Sequence, residues 1–226
     1  MTPSPAFSCT LDRPALTDYV AAQMRAFFPD GELERAPLDA AVRAALERVE
    51  YCFLRNRMKC YWDANGPRFH HRHTDQYAVF LYYLSNSAHR AGAAPLAEKA
   101  YALNKALHGL DAFYEVELPA VFALQHPVGT VLGRASYADY FVAYQNVTVG
   151  ADLNGGSPAF GPGVVLFGGA KILGSARIGA NCFVSAGALI LGTTVAPDSV
   201  VYGRHPDVVV KPTRRSVVRD IFRNAS

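Results

Sequence analysis

The sequence predicts an α+β chain: an α-helical domain over residues 1–110, a coil of short parallel strands over 111–212, and a basic tail over 213–226. Two observations carry this reading. Up to about residue 109 the apolar residues recur at helical three- and four-residue steps, and from Val131 they recur every six. Small residues then crowd the positions that follow the aliphatics, as in Leu132-Gly133, Leu173-Gly174, Ile178-Gly179-Ala180 and Ala186-Gly187. Six is neither the helix period nor the alternation of a simple strand. It fits a solenoid in which each hexad forms one flat side of a triangular coil, with the aliphatic inward and small residues easing the corner.

Taken in order, residues 1–12 are rich in Pro, Ser and Thr and read as a loose lead-in. A helix follows from about Pro14, with Leu16, Tyr19, Val20 and Met24 at helical spacing and a break at Pro29-Asp30-Gly31. A second runs from Asp39 to Arg57 on Val42, Ala45, Leu46 and Val49, with Asp39 placed to cap it. Residues 60–75, CYWDANGPRFHHRHTD, have no periodicity and read as a polar loop. A third helix, 76–91, is apolar on nearly all sides in its first half, so it should be buried. A fourth, about 95–109, starts on Pro95 and stops at Gly109.

The hexad series is Val131, Tyr137, Ala143 and Val149, then Phe160, Leu166, Ile172, Ile178, Val184, Ile190, Ala196 and Tyr202. Between Val149 and Phe160 the step is eleven, and the residues GADLNGGSPA are turn-forming, so a loop is extruded from the coil there. The series ends at Lys211-Pro212, before the basic tail TRRSVVRDIFRNAS.

Bulk properties narrow the function. The chain has 226 residues, 50% hydrophobic and 18% charged, with a net charge of +3. That is a soluble globular composition and gives no reason to expect nucleic acid. No apolar run approaches a membrane span, and the N-terminus lacks the basic and hydrophobic regions of a signal peptide, so a cytoplasmic protein is expected. Cys9, Cys52, Cys60 and Cys182 are scattered and read as reduced thiols. His70, His71 and His73 cluster beside Asp63 and Asp75, but no second ligand group stands elsewhere at metal-binding spacing, and no metal is expected.

The segments HPVGTVLG (126–133), YQNVTVG (144–150), GGAKILG (168–174) and SAGALI (185–190), in this order after a helical pair, resemble the serine O-acetyltransferases, with the chain as a divergent member. The resemblance covers roughly residues 75–212 and implies a left-handed parallel β-helix of hexapeptide repeats. It also implies an acetyl-CoA-dependent acetyltransferase acting on serine or a serine-like hydroxyl, or alternatively on a sugar or secondary-metabolite hydroxyl or amine. His126 falls on the family's catalytic histidine, a general base on the acceptor hydroxyl, and such a base makes chemical sense at neutral pH. The family's partner aspartate falls on Asp111, with Glu115 and Glu117 as fallbacks. Without chemistry, His126 would be a corner residue at the head of the coil and Asp111 a solvated carboxylate past a helix end.

On the acceptor side the chain departs from the family. The aspartate before the catalytic histidine is Gln125, and the loop's arginine and histidine before a proline are Gly156 and Ser157. Asp63 or Asp75 would stand near the remaining substrate-binding carboxylate. Groups that would grip a zwitterion are missing, which keeps the non-serine acceptors open. On the donor side, the resemblance places Gly168 and Ala186, with Gly150, Ala151 and Gly169, along the acetyl-CoA groove, and Lys211 with Arg214 and Arg215 near the CoA phosphates. The groove implies a homotrimer, which in the family pairs through the helical domains. A terminal isoleucine docks the family's sulfhydrylase partner; this sequence ends Asn224-Ala225-Ser226, so that complex is not expected. A γ-type carbonic anhydrase on the same coil would need three histidines, and only His126 and His205 lie in the repeats. A catalytically inactive scaffold is the remaining alternative.

Overall fold

A computed structural model describes residues 6–223. The first five residues of the lead-in, and the three terminal residues on which the sulfhydrylase expectation rests, lie outside the described residues.

Four helices build the first half: α1 (Arg13–Phe27), α2 (Arg35–Leu54), α3 (Thr74–Arg90) and α4 (Ala94–His108). Asp12 caps α1 by accepting from the Ala15 N–H at 2.9 Å. The start of α2 lies four residues before the expected cap. Asp39 is inside the helix and instead accepts from Thr17 Oγ1 at 3.3 Å. Helix α3 is the central rod: every residue from Asp75 to Ala88 is buried, as its all-round apolar pattern requires. Gly109 ends α4 in the left-handed region at φ 62°, a position that favours glycine.

The segment expected to be a loop has structure. Trp62–Asp63 and Gly66–Phe69 form an antiparallel hairpin, and Ser8–Cys9 joins it in parallel, so the lead-in is pinned rather than loose. Asp63 Oδ1 accepts from the Asn65 N–H at 2.8 Å and closes the turn. Strands of two to four residues carry no period, which is why composition alone reads them as loop.

From Phe122 onward the chain winds into a coil with three faces. The first carries Phe122–Leu124, Phe141–Ala143, Val164–Leu166 and Cys182–Val184. The second carries Val131–Leu132, Thr148–Gly150, Lys171–Leu173 and Leu189–Leu191. The third carries Ser136–Tyr137, Ala159–Phe160, Arg177–Ile178 and Thr194–Val195. All these pairs are parallel. Ser199–Arg204 runs across from the first face to the second, and Asp207–Pro212 folds back on it antiparallel.

The register explains where the hexad count holds and where it slips. Val164 pairs with Cys182 and Lys171 with Leu189, both 18 residues apart. Arg177 pairs with Thr194 and Cys182 with Ser199, 17 apart. The last coil therefore loses one residue between its second and third faces. Val195 and Val201 point inward, while Ala196 and Tyr202, the expected hexad positions, are exposed. At the other end Leu132 is buried and Val131 is 37% exposed, again because Leu132 pairs with Val149 at 17. Ala143, Val149, Phe160, Leu166, Ile172, Ile178, Val184 and Ile190 are inward as the spacing predicts. Ser136 pairs with Ala159 at 23, so the extruded loop also leaves from the edge between the second and third faces. After the third face the coils approach closely: a Cβ at Gly179 would lie 2.5 Å from Pro197 N.

One apolar cluster runs through both halves. The Phe122 ring packs edge-on against Tyr82 and Tyr83 of α3 at 5.6 and 5.4 Å, and the buried Cys52 of α2 donates to Phe122 O. A second cluster lies on the outer side of the first face. There Val121, Ala123, Val142, Val165 and Phe183 are covered by Val217 and Phe222 of the tail. The tail forms a short helix, α5 (Val217–Ile221), and returns to the end of α2, where the Arg57 N–H donates to Ile221 O at 2.9 Å.

Two outcomes follow from this packing. Val195→Asp should cost on the order of 4 kcal/mol or more and unfold the coil, whereas Ala196→Asp should be tolerated; denaturant melts of the two variants reverse in order if the strict hexad count is right. His108 is buried and donates Nδ1–H to Asn104 Oδ1, whose amide is oriented by its own bond to Ala78 O. Burial pushes this histidine down to about 4. The unfolded chain then binds more protons than the native one between roughly pH 6.5 and 4. Stability should therefore fall by up to about 3 kcal/mol as pH drops through that window. His108→Gln should lose most of that slope, read from urea midpoints at pH 7 and pH 4.5.

Candidate active site at the first corner of the coil

The corner after Phe122–Leu124 is longer than those stacked on it. First-face strands of the first two coils are 19 residues apart (Phe122 to Phe141) and second-face strands are 17 apart (Val131 to Thr148). The first corner therefore holds two extra residues. His126 sits in this bulge with its backbone in the left-handed region, φ 50°. Left-handed glycine or asparagine stands at Gly129, Asn146, Gly169 and Gly187 on the stacked corners, but His126 is an additional such residue, costing about 1 kcal/mol. The bulge lifts its side chain to 76% exposure.

What meets the bulge is the N-terminal end of α3. Asp75 stands in the first turn, its side chain only 6% exposed, where a helix end favours negative charge. Its Oδ2 accepts from the His126 backbone N–H at 3.1 Å and lies 3.9 Å from His126 Nδ1. The second distance is too long for a hydrogen bond. An open cleft of about 390 Å³ lies here, lined by Cys60, Arg72, Thr74, Asp75, Gln125 and His126. His73 also lines it and leaves Nδ1 buried without a partner. Gln125 is half-buried, with Nε2 3.1 Å from Met58 Sδ and 3.3 Å from Leu124 O.

The expected partner of the histidine is engaged elsewhere. Asp111 accepts from Lys105 Nζ at 2.7 Å and from Tyr101 Oη at 2.8 Å. Burial raises its pKa, but those two bonds outweigh it and hold the carboxyl below its usual range. Glu117 is taken by Arg90 and Asn86, and Glu115 is exposed. Asp75, expected among substrate-binding groups, is thus the carboxylate beside His126. Its position at the end of a segment read as a polar loop concealed this, because only the packing of α3 against the coil brings the two together.

The other expected residues divide. Asp63 stands on the hairpin, 3.8 Å from Arg68, and does not line the cleft. Ser157 and Gly156 belong to the extruded loop, which folds on its own Asp152: Oδ1 accepts from the Asn154 and Gly156 N–H groups at 2.8 and 3.0 Å. Gly168, Gly169 and Ala186 stack along the edge that His126 opens, with Gln145 on the coil between. The Gly169 N–H donates to Gln145 O and the Gly187 N–H to Gly168 O. A Cβ at Gly168 would lie 2.9 Å from Gln145 Nε2, a contact that the glutamine side chain relieves by moving. Gly150 and Ala151 lie at the next edge, where the loop departs, and one chain does not bring the two groups together. Lys211 is on the return strand, its Nζ 5.5 Å from the Tyr202 ring. Arg215 pairs with Asp220. Among the described residues no three His, Cys, Asp or Glu side chains group closely enough to hold a metal, and no helix is long and apolar enough to cross a membrane.

No family model matches the chain. It is 31% identical over 131 residues to a serine acetyltransferase of Mycobacterium tuberculosis, covering 56% of this chain and 57% of that protein. It is 32% identical over 105 residues to a serine acetyltransferase of Synechococcus elongatus, covering 45% and 43%. The chain thus spans about half the length of these curated relatives. The crystal structure of serine acetyltransferase from Brucella abortus in complex with coenzyme A superposes with a TM-score of 0.67 at 16% identity, covering 92% of this chain and 84% of that one. By sequence over 131 residues the chain is similar to serine acetyltransferases, and over nine-tenths of its length it shares the fold of one.

Proposed function

We propose that the chain transfers the acetyl group of acetyl-CoA to the hydroxyl of serine or a serine-like acceptor, with His126 as general base. The observation that carries this is the exposed imidazole on a lengthened corner, beside a buried carboxylate and over an open cleft. A serine-type hydroxyl is a weak nucleophile at neutral pH. An imidazole within reach takes its proton as the oxygen attacks the thioester carbonyl. The tetrahedral species collapses, the C–S bond breaks, and the imidazolium returns the proton to the leaving thiolate. Asp75 holds the corner through the His126 N–H and keeps its carboxylate 3.9 Å from the ring. The edge of Gln145, Gly168 and Ala186 is where the pantetheine arm would run. Serine acetyltransferases of two bacteria as relatives, and coenzyme A bound to a protein of the same fold, support the donor and the reaction class.

Several finer features belong to the same proposal. The coil is a left-handed β-helix of hexapeptide repeats over 111–212, following a helical domain over 1–110 and preceding the tail over 213–226. A homotrimer would set the edge bearing Gly150 and Ala151 of one subunit against the edge bearing Gly168 and Ala186 of the next, completing a groove that one chain leaves divided. A cytoplasmic location fits four cysteines that are all unpaired. A second acceptor class, a sugar or metabolite hydroxyl or amine, is favoured by Gln125 and by the self-bonded loop that carries Ser157 away from the cleft.

His126→Ala should lower kcat/KM by about 10²- to 10⁴-fold with every acceptor, measured as thiol release from acetyl-CoA. A variant retaining a tenth of wild-type turnover would rule out a base at this position. Asp75→Asn should lower kcat by about tenfold or more, while Asp111→Asn, which breaks a half-exposed pair with Lys105, should leave kcat within about threefold and cost ~1 kcal/mol or less. The reverse order would reinstate Asp111 as the partner.

A further inference from the structure

Where the tail returns to the end of α2 it closes a second cavity, away from the corner histidine. Arg57, Arg219 and Arg223 line this open pocket of about 640 Å³, together with Ser216, Val218 and Phe222. No acidic side chain lines it. The backbone brings the arginines together. Asn56 and Phe222 form an antiparallel bridge, the Arg57 N–H donates to Ile221 O at 2.9 Å, and the Arg223 N–H donates to Arg55 O at 2.7 Å. Asn56 and Phe222 are buried, while Arg57 and Arg223 beside them are exposed.

The three charges are nearly unopposed. Among the described residues no carboxylate lies within 4.0 Å of the Arg57 or Arg223 guanidinium. Arg219 meets Asp220 at 3.4 Å through Nε, but Asp220 is shared with Arg215 at 3.1 Å. Two of the guanidiniums are nevertheless held in place. Arg57 donates Nη1–H to Arg219 O at 2.9 Å, and the Arg223 guanidinium lies 3.7 Å from the centre of the Trp62 ring. The Ser216 hydroxyl accepts from the Arg219 N–H at 3.2 Å and keeps its own proton to donate. Anchoring the tail does not require these charges, because Val217 and Phe222 pack on the outer side of the first face. Like charges gathered on one cavity repel each other, and an anion placed among them relieves that repulsion.

We propose that this pocket binds a small phosphate-bearing anion with two or more negative charges, most simply a diphosphate group. Planar guanidiniums bind phosphate oxygens through paired N–H···O bonds, and a serine hydroxyl adds a further donor. The groups line a concavity, and the chain as a whole carries a net charge of only +3, which suits a compact anion and not a polyanionic chain. The pocket is separate from the donor edge. Gly168 and Ala186 stand between the first and second faces. Val217 of the tail instead meets Gly163 and Asn181 between the third and first, with its N–H donating to Asn181 Oδ1 at 2.9 Å. The proposal is independent of the acetyl-transfer reading.

Isothermal titration of the full chain with sodium pyrophosphate, at constant ionic strength, checks this. Wild type should show saturable binding. Arg57→Gln and Arg223→Gln should each weaken it about tenfold or more, with Arg57→Lys intermediate. Arg43→Gln, which removes the same charge from an exposed site on α2, should change it less than about twofold. Arg223→Gln leaves the backbone bonds of the tail intact, and an unchanged melting temperature confirms that its loss of binding is not a loss of fold. Affinity for coenzyme A, titrated in the same way, should be the same in wild type and Arg223→Gln. Absence of saturable pyrophosphate binding in wild type overturns the proposal, as does equal binding by wild type and both glutamine variants. A parallel loss of coenzyme A affinity in Arg223→Gln also overturns it, by assigning the pocket to the donor.

Discussion

The site depends on one contact between the two halves of the chain: the His126 N–H donating to the Oδ2 of Asp75. The corner that carries His126 is two residues too long for its coil and holds a non-glycine residue at positive φ. Such a bulge is strained and would be free to collapse. A buried carboxylate at the end of a rigid, fully packed helix gives its backbone a partner and fixes the direction in which the imidazole leaves. The helical half is thus more than a platform. Phe122 wedged against Tyr82 and Tyr83 aligns α3 with the first coil, and that alignment delivers Asp75 to the corner.

The coil contributes repetition. Because its strands stack in register, the second residue after each first-face strand falls on one line, and His126 heads a row continued by Gln145, Gly168 and Ala186. All departures from regularity gather at two places. The first corner gains two residues and carries His126; the edge between the second and third faces loses one residue in the first and last coils and gains five in the coil that extrudes the loop. The closely stacked third-face corner, where Gly179 meets Pro197, has no room for either.

Much of this was legible in the sequence because it is periodic. The four helices, the burial of α3 and the switch to a period of six follow from apolar spacing that tertiary structure only completes. The strict count of six failed at Val131, Ala196 and Tyr202, since a corner can drop a residue while the core keeps its inward side chains at Leu132, Val195 and Val201. The hairpin at 62–69 was invisible, because strands so short carry no period and are held by partners distant in sequence. The placement of Asp75 was hidden for the same reason: 51 residues separate it from His126, and nothing local marks it. Asp111, at the spacing the family resemblance favours, is taken by two neighbours on α4 that a motif does not display.

The coupling between Asp75 and His126 is the centre of this account, and a double-mutant cycle measures it most directly. If Asp75 acts through the histidine, Asp75→Asn should lower kcat/KM in the wild-type background and change it by less than about twofold in the His126→Ala background. Equal losses in both backgrounds would show that Asp75 serves the acceptor or the fold by itself, and would contradict the pairing on which the site is built.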